Sequence, residues 1–251
     1  MIAVHPLTGI GEVEPGSDLA AILLKAIRAC GLDLQEGDVL VVTQKILSKA
    51  EGRFVELASA KPSANALRLA AITGKDPRLV ELVLGESSDV IRAAPNVLIT
   101  RHRLGLVMAN AGIDRSNLGV AGAEQVLLLP ENPDGSAERL RVAIDARSGI
   151  APAVVISDSF GRPWRQGVVA VAIGAAGIAA LIDRRGERDR DGRRLEVTQV
   201  AVGDLLASAA VLVTGEAAEG VPAALIRGVK LEGEARPAAA LVRPVNEDLF
   251  L

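Results

Sequence analysis

The stretch AVVISDSFGRPWR, Ala153 to Arg165, runs from apolar residues into a carboxylate, two hydroxyls, two guanidinium groups and the only Trp of the chain. Val154, Val155 and Ile156 read as a buried strand that stops at Ser157, Asp158 and Ser159. In open α/β sheets, ligands bind where central strands end at their carboxyl side. Asp158 is therefore a candidate ligand for a hard cation. Mg²⁺ takes one or two carboxylates and leaves its other positions to water and phosphate oxygens. Arg162 and Arg165 suit bidentate contact with a phosphate or a carboxylate. The plainer alternative is a loop salt bridge between Asp158 and an Arg. Trp164 and two Arg beside a strand-end carboxylate favour a binding role.

Other polar clusters follow or interrupt apolar segments. In HPLTGIGE, a Thr-Gly turn after a strand would expose backbone N–H groups that hold phosphate oxygens; on this stretch alone an ordinary turn is the favoured reading, and His5 reads as structural or solvent-facing. In VVTQKILSKAEGR, Lys45 and Lys49 lie four apart with Ser48 between them. The pattern is not a P-loop, because GxxxxGK[ST] is absent. A strand-end Lys still neutralises phosphate as a point charge; the alternative is a solvated helix start with two surface Lys. NAGIDRSNLG, Asn110 to Gly119, clusters Asp114, Ser116 and Asn117. Such loops are commonly Asx-turns, and the same oxygens suit a divalent cation. In TGEAAEG, Thr214 to Gly220, Glu216 or Glu219 is a further acidic candidate, with surface exposure the plainer reading.

The elements that must position these groups alternate along the chain. Ile2 to Val4 reads as a short strand. Leu19, Ile22, Leu23, Ala26, Ile27 and Cys30 recur at helical spacing, with Ser17 or Asp18 to cap the start and Gly31 to end it. The strand in EGDVLVVTQK is too apolar to be half exposed and belongs in a sheet covered on both faces. Ser63 to Thr73 and Asp76 to Leu84 read as helices, the second opened by an Asp-Pro cap pair. VLIT, LGLVM and QVLLLP are strand candidates between Val97 and Pro130. A helix is predicted from about Ser136 to Arg147, closed by Gly149. Leu195 to Val197 reads as a strand, Gln199 to Val213 as a helix and Ala223 to Val229 as a late strand. Asp183 to Arg194 alternates in charge and reads as a solvated loop.

The 251 residues suffice for one large domain or two small ones. No low-complexity linker appears, so we read one unit over 1–251, with two lobes and the least apolar break near 130–136. Apolar residues make up 49% and aromatics 2%, so small aliphatic side chains must build the core. A net charge of −3 argues against a nucleic-acid or membrane-surface binder. The single Cys30 excludes an intramolecular disulfide and a Cys-based zinc site. The N-terminus enters MIAVHPL without a signal sequence. Gly167 to Ile182 is apolar but Gly- and Ala-rich, and reads as a buried segment of a cytoplasmic protein.

These parts describe metal–nucleotide chemistry in outline. Taken in order, PLTGIGEVEPGSDL, EGDVLVVTQKILSKAEGR, RLGLVMANAGIDRSNLG, VVISDSFGRPWRQG, VAIGAAGI, LEVTQVAVGDLLASAAVLVTGEAAEGVPAALIRG and the terminal RP…EDLF resemble the coenzyme F420-0:γ-glutamyl ligase family. The resemblance implies an α+β fold with mixed sheets and packed helices. It implies a ligase that uses GTP and Mg²⁺ or Mn²⁺, with K⁺ a further candidate cation. L-glutamate would be joined to F420-0, and γ-linked glutamates then added, through an acyl phosphate that leaves GDP and phosphate. Leu7, Thr8, Gly9 and Ile10 would hold part of the nucleotide, Lys49 its phosphates, and Asn117 and Gln44 would touch it. Asp114, Asp158, Ser159 and Glu216 would ligate the metal.

Family members often carry Ser where this chain has Gln44, and many have Thr in place of Ser159. Arg162 and Arg165 are the residues we assign to an anionic group of the substrate. The resemblance also implies a stand-alone ligase and a homodimer, to which Gly167 to Ile182 is expected to contribute. The rival readings are a metal-dependent phosphohydrolase, with water as the nucleophile, and a non-catalytic nucleotide-binding protein.

Overall fold

A computed structural model describes residues 1–118 and 124–248. Gly119, in the Asp114 loop, and Leu249 and Phe250, in the terminal motif, lie outside the described residues.

The chain opens with β1 (Ala3–Pro6) and α1 (Leu19–Ala29). Asp18, not Ser17, caps α1, its carboxylate accepting the Ala21 N–H at 3.1 Å. Gly31 follows in the left-handed conformation (φ 71°). Then come β2 (Val39–Thr43), α2 (Gln44–Ala50), β3 (Phe54–Glu56), α3 (Ala64–Thr73) and α4 (Pro77–Gly85). β4 (Ser87–Ala94), β5 (Val97–His102), β6 (Val107–Ala109) and β7 (Gln125–Leu127) lead to α5 (Pro133–Ser148). The second half holds β8 (Ala153–Arg162), β9 (Arg165–Ala176), β10 (Ile182–Asp183), β11 (Gln199–Val200), α6 (Val202–Thr214) and β12 (Ala223–Arg227).

The central sheet has five strands in the order β1-β12-β2-β8-β9. Only β2 and β8 pair in parallel; their neighbours are antiparallel. The all-apolar β2 is covered on both faces, as its composition requires. Leu40 and Val42 pack with α1 and α5, while Val39 and Val41 pack with α6. Truncating Leu40 to Ala in such a core costs about 2–5 kcal/mol. Between α2 and α5 the chain builds small antiparallel sheets, β3-β7 and β4-β5-β6, whose core is shared with α3 and α4. The architecture is α+β with mixed sheets.

Three predictions of local structure change. β8 does not stop at Asp158: it runs on to Arg162 and turns at Pro163 and Trp164 into β9. An antiparallel partner for residues 157–162 satisfies their backbone groups, so polar side chains did not end the strand. Leu195 to Val197 is not a strand; the pairing falls on the two residues Gln199 and Val200, which also delays α6 to Val202. α5 begins three residues before Ser136, because Asn132 caps it by accepting the Gly135 N–H and Pro133 fills the first turn. Within Gly167 to Ile182, most of Ala170 to Ala180 is buried in the chain's own core, Val168 and Gly177 are exposed, and Leu181 and Ile182 are half-buried. Residues 185–194 are exposed, as their alternating charge implies. Among the described residues, no helix is long and apolar enough to cross a membrane.

Candidate active site

The parallel strands β2 and β8 end their pairing together at Thr43 and Ser157. Beyond that pair β2 turns directly into α2, whereas β8 continues, so Asp158 stands just past the carboxyl end of the parallel pair. A cavity of about 1010 Å³ opens there. Its walls are the 10–13 segment, the start of α2, the loop after β6, the outer half of β8 and residues 214–222.

The loop after β6 is held in an unusual backbone. Asn110, Ala111 and Gly112 are all left-handed, with φ of 52°, 52° and 69°. For a residue with a Cβ this conformation costs roughly 1–2 kcal/mol. Asn tolerates it, Ala111 is fully buried, and a Cβ at Gly112 would lie 2.8 Å from both Leu129 and Met108. The strained turn delivers Asp114, whose backbone is locked to Leu127 by two hydrogen bonds of 2.9 Å.

Asp114 is at once an Asx-turn and a site residue. Its Oδ1 accepts the Ser116 N–H and hydroxyl, each at 2.8 Å. Its Oδ2 lies 2.7 Å from the Lys45 Nζ. Burial works to raise its carboxyl, but Lys45 and the Ser116 donors outweigh it and the net shift is downward. Asp158 goes the other way. Burial pushes its carboxyl up to about 7, against the Ser159 N–H and with the help of the negative Asp114 and Glu216. Ser159 Oγ donates to Glu216 Oε2 at 2.5 Å.

The same loop separates the two acidic alternatives. Glu219 turns back to accept the Ala217 N–H at 2.8 Å, under Gly215, where a Cβ would meet its carboxyl at 2.2 Å. Glu216 is the one that reaches Ser159.

Lys49 is 4% exposed and pairs with Glu12, as a buried charge must. The picture of two surface Lys therefore fails. Gln44 is buried, lines the cavity, and its carbonyl oxygen accepts the Ser48 hydroxyl at 2.9 Å. Asn117 donates to the Ala217 carbonyl at 3.4 Å, tying the Asp114 loop to the 214–220 loop. Arg162 lines the cavity; its Nη2 donates to the Gln166 carbonyl at 3.0 Å, and its buried Nε has no partner among the described residues.

Other assignments fall elsewhere. Arg165 is exposed and, with Trp164 at φ 58° on the hairpin turn, stands outside the cavity lining. Of Leu7, Thr8, Gly9 and Ile10, only Ile10 lines the cavity. Leu7 still belongs to the sheet edge, its N–H bonded to the Ala223 carbonyl at 2.9 Å, so its side chain enters the core. The Thr8 hydroxyl meets the Cys30 sulfur at 3.6 Å. The chain reaches the cavity only after Gly9, with Gly11, Glu12 and Val13. Glu12 escaped sequence reasoning, since nothing in GIGEVEPG distinguishes it. Lys45 was legible only as half of a Lys pair.

The acidic groups and Ser159 form an all-oxygen donor set, which matches a hard divalent cation. The carboxyl of Asp158 is raised first by its burial, and the negative Asp114 and Glu216 add to the shift. Among the described residues, no three His, Cys, Asp or Glu side chains already close on one point as a metal centre. The chemistry of the donors fits a cation; convergence on it would need side-chain movements.

Fold and site together define an α+β enzyme with acidic and ammonium groups facing one cavity at the ends of parallel strands. Residues 9–228 match the family model described as F420-0:Gamma-glutamyl ligase, and the chain belongs to this family. It is 46% identical to the coenzyme F420:L-glutamate ligase of Methanopyrus kandleri, covering 99% of this chain and 97% of the relative. The enzyme of that name from Methanothermobacter thermautotrophicus is also 46% identical, over 99% and 98%. That of Methanocaldococcus jannaschii is 42% identical over 86% of each chain.

Proposed function

We propose that this chain joins L-glutamate to coenzyme F420-0 through an amide bond, using GTP and Mg²⁺ or Mn²⁺, and then extends the product by γ-linked glutamates. The observation that carries the reading is the convergence of Asp114, Asp158 and Glu216 on the cavity that also holds Lys45 and Lys49. Phosphoryl transfer asks for positioning and charge neutralisation rather than a reactive nucleophile.

An oxygen of the F420-0 carboxylate attacks the γ-phosphorus, and the bond from that phosphorus to GDP breaks. The glutamate amine then attacks the acyl carbon of the acyl phosphate. The carbon–oxygen bond to phosphate breaks, and the amine's proton leaves with the departing phosphate. Lys49 faces the phosphates, and its Glu12 partner gives way to them. The Gln44 amide and Asn117 touch the nucleotide. Arg162, with its unpartnered Nε, holds an anionic group of the F420 precursor. Asp114, Asp158, Glu216 and Ser159 would hold the divalent cation, which when bound supplies charge neutralisation for the phosphate oxygens.

The test is purified protein with F420-0, glutamate, GTP or ATP, and Mg²⁺ or Mn²⁺, with products read by mass. A glutamate adduct accompanied by stoichiometric GDP is expected. GDP release that ignores glutamate would instead mark a phosphohydrolase. The active form is read as a homodimer; a monomeric mass in active micromolar solutions would remove that part.

A further inference from the structure

We propose that Lys45 is an internal counter-cation that makes divalent-cation binding depend on nucleotide binding. The inference rests on the metal–nucleotide reading above and concerns a residue that reading leaves without a role.

Lys45 is the second residue of α2, immediately past the end of β2. Its ammonium lies 2.7 Å from Asp114 Oδ2, 2.8 Å from the Ser116 carbonyl and 3.1 Å from the Ser116 hydroxyl. Its side chain is 23% exposed, so it is held in the cavity wall rather than waving in solvent. The other ammonium of the cavity, Lys49, already has Glu12. Lys45 is therefore the cation that the acidic set keeps for itself.

A divalent cation that reaches Asp114 meets this ammonium across the same carboxylate. Two positive charges on one half-buried oxygen pair repel, and the effective dielectric of such a site leaves that repulsion only partly screened. The displaced ammonium needs another anion within reach of its flexible stem. The triphosphate that the same cavity accepts is that anion. Lys45 then trades Asp114 for a phosphate oxygen, and the cation takes its place. Cation and nucleotide bind with positive coupling, and by linkage the coupling is reciprocal.

The experiment measures Mn²⁺ affinity, by electron paramagnetic resonance of the free ion, with and without a GTP analogue bearing a nitrogen bridge between its β- and γ-phosphates. In the unaltered protein the analogue is expected to tighten Mn²⁺ at the protein about tenfold or more beyond the analogue's own affinity for the ion, within the usual range of coupling. In Lys45→Gln, Mn²⁺ alone should bind about fivefold tighter than in the unaltered protein, and the coupling should fall below about threefold. Lys45→Arg keeps the charge and should keep most of the coupling. A merely structural Lys45 predicts the opposite: Lys45→Gln would weaken Mn²⁺ binding or leave affinity and coupling unchanged, and that outcome overturns the proposal. If Lys45→Gln unfolds, Lys45→Met carries the same comparison. A Mn²⁺ affinity untouched by both Asp114→Asn and Asp158→Asn would remove the cation site itself, a failure distinguishable from loss of the Lys45 role alone.

Discussion

Asp158 faces the cavity and its carboxyl is pushed up to about 7, first by burial. Asp183, at the start of the exposed charged segment, is drawn down to about 2, first by the Arg185 side chain. Both regions are dense in charge. Along 183–194 three of the four carboxylates find a guanidinium or backbone donor nearby: Asp183 with Arg185 at 2.5 Å, Glu187 with Arg184 at 3.3 Å, Asp189 with the Arg193 N–H at 2.8 Å. In the cavity, Asp114, Asp158 and Glu216 share one nearby ammonium on Asp114, and Arg162 keeps an unmatched donor. Charge that is paired in solvent asks for nothing more. Like charges gathered around the partly buried Asp158 mark a candidate ligand site.

The largest way to break this comparison is to neutralise its acidic side. Asp158→Asn and Asp114→Asn should each lower glutamate-dependent GDP release by about 10²- to 10³-fold, the loss typical when one fixed electrostatic group is removed from a reacting centre. Initial rates with saturating GTP and Mg²⁺ check it. A loss below threefold in both would mean that the cavity's charge imbalance has no part in the chemistry.

The two Arg of the β8–β9 hairpin give a sharper contrast within one short stretch. Arg162→Ala should raise KM for the F420 precursor about tenfold or more, since hydrogen bonds to charged groups contribute about 1.5–3 kcal/mol. Arg165→Ala should stay within about twofold, the range of an exposed charge that touches no ligand. Equal effects would remove the distinction that the cavity lining draws between them.

Much of the frame was legible from the residues. β2 declared itself central by its unbroken apolar run, and α1, α4 and the end of α5 by their cap residues and glycines. Asn132-Pro133 repeats the cap chemistry of Asp76-Pro77, so the true start of α5 was also present in the sequence. The continuation of β8 was not, because it depends on β9 folding back as an antiparallel partner for polar residues. The acidic residues could be named one by one, but their meeting is a long-range event. The turn at 110–112 and the loop at 214–220 lie a hundred residues apart and are brought together by the central sheet. The Lys45–Asp114 and Lys49–Glu12 pairs are of the same kind: spacing shows the charges, and only the fold assigns the partners.

A smaller effect follows from the direction of the Asp158 shift. Its folded pKa is raised above that of the unfolded chain, so between roughly pH 4 and 7 the folded state holds a proton the unfolded state has lost. Stability should therefore fall as pH rises through that window, with the full penalty reached above it. At ~1.4 kcal/mol per unit over roughly three units, the penalty is at most about 4 kcal/mol. Asp158→Asn removes it. Without divalent cations, the variant should gain in denaturation midpoint at pH 8 and gain nothing at pH 4. A gain that is equal at the two pH values would point to packing and not to buried charge.

The smallest expected effect belongs to the other carboxylate. Asp183 has a depressed folded pKa, so its contribution is present above the unfolded value and lost only as pH falls toward about 2. Its partner Arg185 is more than half exposed, and water and salt screen such a pair almost completely. Asp183→Asn should leave the denaturation midpoint at neutral pH within measurement error, at low and high salt alike. Both proteins carry an Asp-to-Asn change, so the side-chain volume is matched and the only variable is where the charge stood. A midpoint change at Asp183 as large as that at Asp158 would mean that local pairing, and not burial among like charges, sets what a carboxylate does in this fold.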